Sequence, residues 1–171
     1  MLRGRIAITF ALLAAGVSCS TSNCFGSATP TSSPSPKVAY TCVTPQTLFS
    51  NWNGGGVVSG GSQPQFDTKG VTYCLKEIAT YHWNGGGGAV PGTLGLRDPS
   101  GKVLGPWKAT ASAGQGNAPN VNWTYDASRT NPVILNGIYQ CVDSSPTTWS
   151  SNQDSGGRVF CRIDVWTTSK T

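Results

Sequence analysis

The chain has 171 residues, among them 22 glycines, 11 prolines, six cysteines, six tryptophans and a single histidine. Twelve basic against seven acidic residues give a net charge of +5 with no basic run, which favours solubility and excludes a nucleic-acid-binding arm. A chain this rich in glycine and proline, with one methionine, suits a turn-rich β-domain large enough for a proper core.

Arg3 and Arg5 precede an apolar run over residues 6–17 that closes on small residues, the make-up of an export signal. The run is too short to span a membrane as a helix, which needs about 20 residues. Ala15-Gly16-Val17-Ser18-Cys19 resembles a bacterial lipobox, with Gly16 where leucine is usual. That resemblance implies lipidation of Cys19, with ordinary signal cleavage as the alternative. Residues 20–36 are dominated by Ser, Thr and Pro and cannot bury enough surface to offset their ordering entropy, so they read as a tether. The expected division is a signal over 1–18, a tether over 19–36 and a domain over 37–171. Loss of Arg3 and Arg5 with the signal lowers the net charge to +3. Membrane attachment is then expected only through the lipid on Cys19.

With Cys19 and Cys24 outside the domain, Cys42, Cys74, Cys141 and Cys161 remain. In an exported chain these read as disulfides, and four cysteines allow three pairings. Cys42 with Cys74 and Cys141 with Cys161 is the favoured set: the second pair joins two late strands, and each closes a loop whose bridge stabilises by about 3 kcal/mol. No CxxC is present and His82 stands alone, so neither a metal centre nor a cofactor is expected.

Residues 71–83 read as the longest strand. Ile78, Thr80 and His82 alternate with Ala79, Tyr81 and Trp83, which places the latter three on one face. Asn84 and the glycines Gly85, Gly86, Gly87 and Gly88 end it. Thr93 to Arg97 and Lys102 to Leu104 form a hairpin about Asp98-Pro99-Ser100-Gly101. Further strands are expected over 121–125 and 133–135. Asn136-Gly137 signals a two-residue hairpin into 138–142. A polar loop then leads to a last strand over 158–166, where Val159, Cys161, Ile163 and Val165 alternate. Eight or nine short strands without a helix predict an all-β antiparallel sandwich, jelly-roll or Greek-key like, monomeric and stabilised by disulfides.

Trp52 and Trp83 sit in related contexts, Asn51-Trp52-Asn53-Gly54-Gly55-Gly56 and His82-Trp83-Asn84-Gly85-Gly86-Gly87. Indole faces beside amides and glycine loops can stack sugar rings and meet their hydroxyls. Trp52, Asn53, Trp83, Asn84, Asp143 and Trp149 are therefore the candidate ligand-binding residues. Trp149, in a polar loop, is expected to be the most exposed tryptophan. No catalytic residue is assigned. His82 is expected to bond to backbone or to an acid such as Asp143, because no G-x-S-x-G elbow or second histidine accompanies it. Asp126, Asp143, Asp154 and the lone Glu77 show no spacing that singles out a hydrolytic pair. Asp143 and Asp154 flank a Ser/Asn-rich loop that lacks the EF-hand pattern, and Asp143 suits a turn cap. Gly114-Gln115-Gly116 lacks the strand-loop-helix setting of a phosphate cradle.

Ile78-Ala79-Thr80-Tyr81-His82-Trp83-Asn84, Pro91-Gly92-Thr93, Gly105-Pro106-Trp107, Gly114-Gln115-Gly116 with Pro119-Asn120, Trp123, Gly137-Ile138-Tyr139, Asp143-Ser144 and Thr148-Trp149-Ser150 follow one another in order. Over about residues 48–157 this resembles a recurring β-sandwich module of exported bacterial proteins for which no activity is established. The resemblance implies secretion. Gly85 to Gly88 departs from the module's usual polar loop, and the cysteines look like additions. The function expected is non-catalytic binding of a glycan or surface protein at the cell envelope. A passive structural appendage and a hydrolase using His82 or an aspartate pair are the alternatives.

Overall fold

The computed structural model describes residues 39–170. The export signal, Cys19, Cys24 and the tether lie outside the described residues. Two antiparallel sheets pack face to face. The larger runs in the order β1 (Tyr40–Ser50), β12 (Cys161–Lys170), β4 (Tyr73–Tyr81), β8 (Asn122–Asp126) and β7 (Thr110–Ser112), with β9 (Ile134–Leu135) beside the start of β4. The smaller is β3 (Gln65–Asp67), β10 (Ile138–Asp143), β5 (Thr93–Arg97) and β6 (Val103–Lys108). A two-stranded ribbon, β2 (Val58–Ser59) with β11 (Ser150–Ser151), closes one end. Leu75, Ile78 and Ile163 from the large sheet meet Phe66, Leu94 and Leu96 from the small one in a single buried cluster.

The run over 71–83 becomes the centre of the large sheet, because β4 pairs with β12, β8 and β9. Glu77 lies opposite Asp164 and Leu75 opposite Val165, so Lys76 has no partner on β12. Such a bulge reverses which alternate residues point inward. Leu75 is buried before it, and Ile78, Thr80 and His82 are buried after it. Tyr81 and Trp83 consequently sit on the other side, half-buried. On β12 the expected alternation holds from Cys161 through Ile163 to Val165, all buried, while Val159 and Phe160, both buried, precede the strand.

The hairpin of β5 and β6 forms about the expected turn, where Gly101 takes φ +88° and donates to the Asp98 carbonyl at 3.0 Å. The Asp98 carboxylate accepts the Ser100 hydroxyl at 2.6 Å and the backbone N–H groups of Ser100 and Lys102. The Ser100 hydroxyl first, then those backbone donors and the Lys102 charge, hold this carboxyl below its ordinary value of 3.8. A lowered folded-state pKa supports the turn above the ordinary value and loses that support as pH falls through the lower one. Acidification from about pH 5 to pH 2 is therefore expected to move the Ser100 and Lys102 amide resonances toward random-coil values, with a midpoint below 3.8. In Asp98→Ala those resonances should start displaced and show no such step.

Two expectations are corrected. Asn136-Gly137 does not join a hairpin: Leu135 pairs with Tyr73 in the large sheet while Ile138 pairs with Asp67 in the small one. A type I′ turn needs positive φ at both central residues, and Gly137 has it while Asn136 does not. Asn136 instead donates to the Thr72 hydroxyl at 2.8 Å, and Gly137 donates to that of Thr68, which fixes a crossover between the sheets. The second is the set of strands, to which the structure adds β1, an 11-residue strand absent from the expected ones. It is an edge strand, mostly exposed and carrying Pro45, and so it shows neither clean alternation nor an apolar run.

Both expected disulfides are present, Cys42–Cys74 and Cys141–Cys161. The first ties β1 to β4 across β12, and the second ties β10 of the small sheet to β12 of the large one. They indicate an oxidising environment. Among the described residues no helix is long and apolar enough to cross a membrane.

Candidate functional site

Strand register brings three glycine-rich loops to one end of the sandwich. Ser50 lies opposite Arg162, Cys161 opposite Thr80, and Thr80 opposite Trp123. The segments after β1 (51–57), after β4 (82–88) and before β8 (114–120) are therefore neighbours. Tyr40 and Lys170 pair at the far end of the same sheet. At about 3.3 Å per residue, the described chain ends leave the domain about 30 Å from these loops.

The loops enclose a cleft of about 320 Å³ with aromatic walls from Trp52, Tyr81, Trp83 and Phe160. Its rim is Asn53, the glycines at 54–56, Val57 and Gln115. Trp52 meets Tyr81 edge to face, with ring centroids 5.7 Å apart, and lies 6.5 Å from Phe160. The Arg162 guanidinium stands 5.6 Å from the Trp52 ring centroid and is itself paired with Glu77 and, at 3.4 Å, with Asp164. The Trp52 indole N–H is buried without a hydrogen-bond partner among the described residues. Such orphaned donors are rare in folded proteins and mark places where something other than packing is being served.

Each wall is held from outside the cleft. Asn53 forms a reciprocal amide pair with Asn152, at 3.0 and 2.5 Å, and accepts the Gly55 N–H at 3.1 Å. Its carboxamide is thus spent on fixing the loop. The Trp83 N–H donates to the Ser150 hydroxyl at 2.8 Å, tying that wall to the ribbon. Asn84, with φ +45°, donates to the Gly88 carbonyl at 2.9 Å and closes its own loop rather than facing the cleft. A side chain at Gly88 would stand 1.7 Å from the Pro119 carbonyl oxygen, so only glycine lets this loop dock on the next.

Asp143 and Trp149 take no part in the cleft. The Asp143 side chain is fully buried, 3.1 Å from His82 Nε2, and its second oxygen accepts the Ser145 N–H at 2.6 Å. The acid thus serves both roles the sequence offered, partner to His82 and turn cap. Trp149 is 0% exposed and donates from its indole to the Phe160 carbonyl at 2.7 Å. The expectation of exposure fails because the polar stretch around it folds over the core, and the large apolar side chain is what the stretch buries. Trp52 and Trp83 are the tryptophans that line the cleft.

His82 Nδ1 lies 2.9 Å from the Thr148 hydroxyl, and its ring stacks on Trp123 with centroids 3.8 Å apart. This is a histidine with an acid and a hydroxyl at hydrogen-bond distance, sealed from solvent on all sides at 0% exposure. Catalysis needs the reacting group to be reached, and the arrangement instead satisfies buried polar groups. Asp126 and Asp154 are exposed and no carboxylate lines the cleft. Among the described residues no three His, Cys, Asp or Glu side chains group to hold a metal ion.

Of the six candidates, the structure brings Trp52, Asn53 and Trp83 together. Tyr81, Gln115, Val57 and Phe160 were not read as site residues. Tyr81 carried a signal, since it alternates on the face of Trp83; Phe160 and Val57 carried none. Comparison with known protein families, curated proteins and solved structures returned no match.

Proposed function

We propose that this is a non-catalytic binding domain of an exported protein, and that the aromatic cleft takes a glycan at the cell envelope. The observation that carries the reading is the convergence of Trp52 and Trp83, 31 positions apart in the chain, with Tyr81 and Phe160 around one cleft of about 320 Å³. Its size lies at the small end of ligand sites, which run from about 300 to 1,000 Å³. Indole and phenol faces suit the C–H faces of sugar rings, while the Gln115 amide and the glycine backbone at the rim suit hydroxyls. The cleft lies at the pole opposite the described chain ends, so a domain attached through either end presents it outward. The disulfides fit an exported setting, as does the resemblance to modules of exported bacterial proteins. Lipidation of Cys19 would hold the domain at a membrane surface.

A glycan-array screen of the full chain tests this, with Trp52→Ala and Trp83→Ala as comparisons and Val71→Ala, exposed and off the cleft, as a control. Either tryptophan variant is expected to weaken a selective hit by about tenfold or more, equivalent to about 1.4 kcal/mol, with Val71→Ala changing it little. Absence of any hit from folded protein removes the glycan reading and leaves a protein partner or a structural role.

A further inference from the structure

We infer that the cleft selects an uncharged sugar and holds the end of a chain, one or two rings, rather than a length of polymer. This rests on the glycan reading above and goes beyond it in naming the ligand's charge and size. No Lys, Arg, His, Asp or Glu lines the cleft. The cation that stands against a wall of the cleft, Arg162 beside Trp52, is paired with Glu77 and Asp164. Asp154 places a carboxylate oxygen 3.2 Å from where a side chain on Gly55 would begin, which sets a negative charge beside the rim. A uronic acid would lose its hydration there, gain no counter-ion and face a like charge, each of which disfavours the ionised form.

The polar groups that remain suit hydroxyl and ring oxygens. Tyr81, Trp83 and Gln115, whose side chains carry a hydroxyl, an indole N–H and a carboxamide, line the cleft, whereas the Asn53 amide is consumed by Asn152 and Gly55. Groups of this kind donate and accept without demanding a charge. The size follows from volume. The cleft lies among loops at one end of the sandwich and holds about 320 Å³, the small end of ligand sites, which leaves room for few rings.

The test is a titration of the full chain, followed by tryptophan fluorescence and calorimetry. The probes are the methyl glycosides of glucose, galactose, mannose and N-acetylglucosamine, their disaccharides and hexasaccharides, and glucuronic and galacturonic acid. At least one neutral mono- or disaccharide is expected to bind about tenfold tighter or more than the acid of matching ring, with no further gain from the hexasaccharide. Gln115→Ala, at an exposed position, should weaken that sugar several-fold without changing the fold, and Gln115→Arg should narrow the discrimination against the acid. Equal or tighter binding of a uronate overturns the charge assignment while leaving sugar binding intact. Binding of hexasaccharides alone overturns the size assignment. No binding by any sugar, or binding of a proline-rich peptide in their place, overturns the glycan reading together with this inference.

Discussion

Trp149→Ala is expected to lower the unfolding free energy by about 3–5 kcal/mol, the range for emptying a buried tryptophan site. The side chain is fully buried and belongs to the central cluster. Its backbone carbonyl accepts the Gly60 N–H at 2.7 Å, and its indole holds the Phe160 carbonyl at 2.7 Å. Truncation thus opens a cavity, strands a carbonyl, and loosens both the ribbon and the Phe160 wall of the cleft. Urea denaturation at constant pH measures the loss. Trp149→Phe separates the two contributions: it keeps most of the volume and loses the indole donor, for an expected cost of about 1–3 kcal/mol. A cost below about 1 kcal/mol for Trp149→Ala would mean that the site collapses freely, and that the ribbon stands without this anchor.

The second large effect is expected at the buried polar cluster. His82→Leu leaves Asp143 and Thr148 without their ring partner and removes the stack on Trp123. Asp143→Leu leaves His82 and Thr80 short of an acceptor and removes the cap on the Ser145 N–H. Each single change is expected to cost about 3 kcal/mol, because an unsatisfied buried group bears its full desolvation penalty. The double substitution should cost less than the sum of the singles, and the shortfall measures the coupling of the pair. Additive costs would mean that the two residues stabilise separate parts of the fold. Because the Trp83 N–H hangs on Ser150, a few residues beyond Asp143, the same variants should also weaken ligand binding at the cleft.

The cluster and the cleft share the turn of chain after β4. His82 points inward to Asp143 and Trp83 points outward to the cleft, one residue apart on opposite faces. The Lys76 bulge sets that phase. Without it, the inward series begun at Leu75 would continue through Glu77, Ala79, Tyr81 and Trp83, and the aromatic wall would be buried.

Local pattern was enough for the elements whose neighbours lie close in the chain. The Asp98 to Gly101 turn, the alternation from Val159 to Val165 and the stop at Asn84 are written in propensity and period. The shared Trp-Asn-Gly-Gly-Gly contexts at Trp52 and Trp83 pointed to the same cleft, because both are glycine loops that end strands. Where an element depends on what lies across the sheet, local signals failed. Asn136-Gly137 has hairpin chemistry, yet Thr68 and Thr72, more than 60 positions earlier, direct the two flanking strands into different sheets. Trp149 has a polar neighbourhood in the chain and an apolar one in space.

By itself, then, the sequence pointed to an all-β antiparallel sandwich, its central strand and two of the four aromatic residues of the cleft, and it favoured the observed cysteine pairing among three without deciding it. These follow from strand period, turn residues and loop lengths, all of which act over short range. Tertiary structure alone decided that Trp149 and Asp143 are interior, that Gln115 and Phe160 face the cleft, and that the cleft is free of charge. Those outcomes depend on register and on one bulge, since a shift of a single residue exchanges the buried and open faces of a strand.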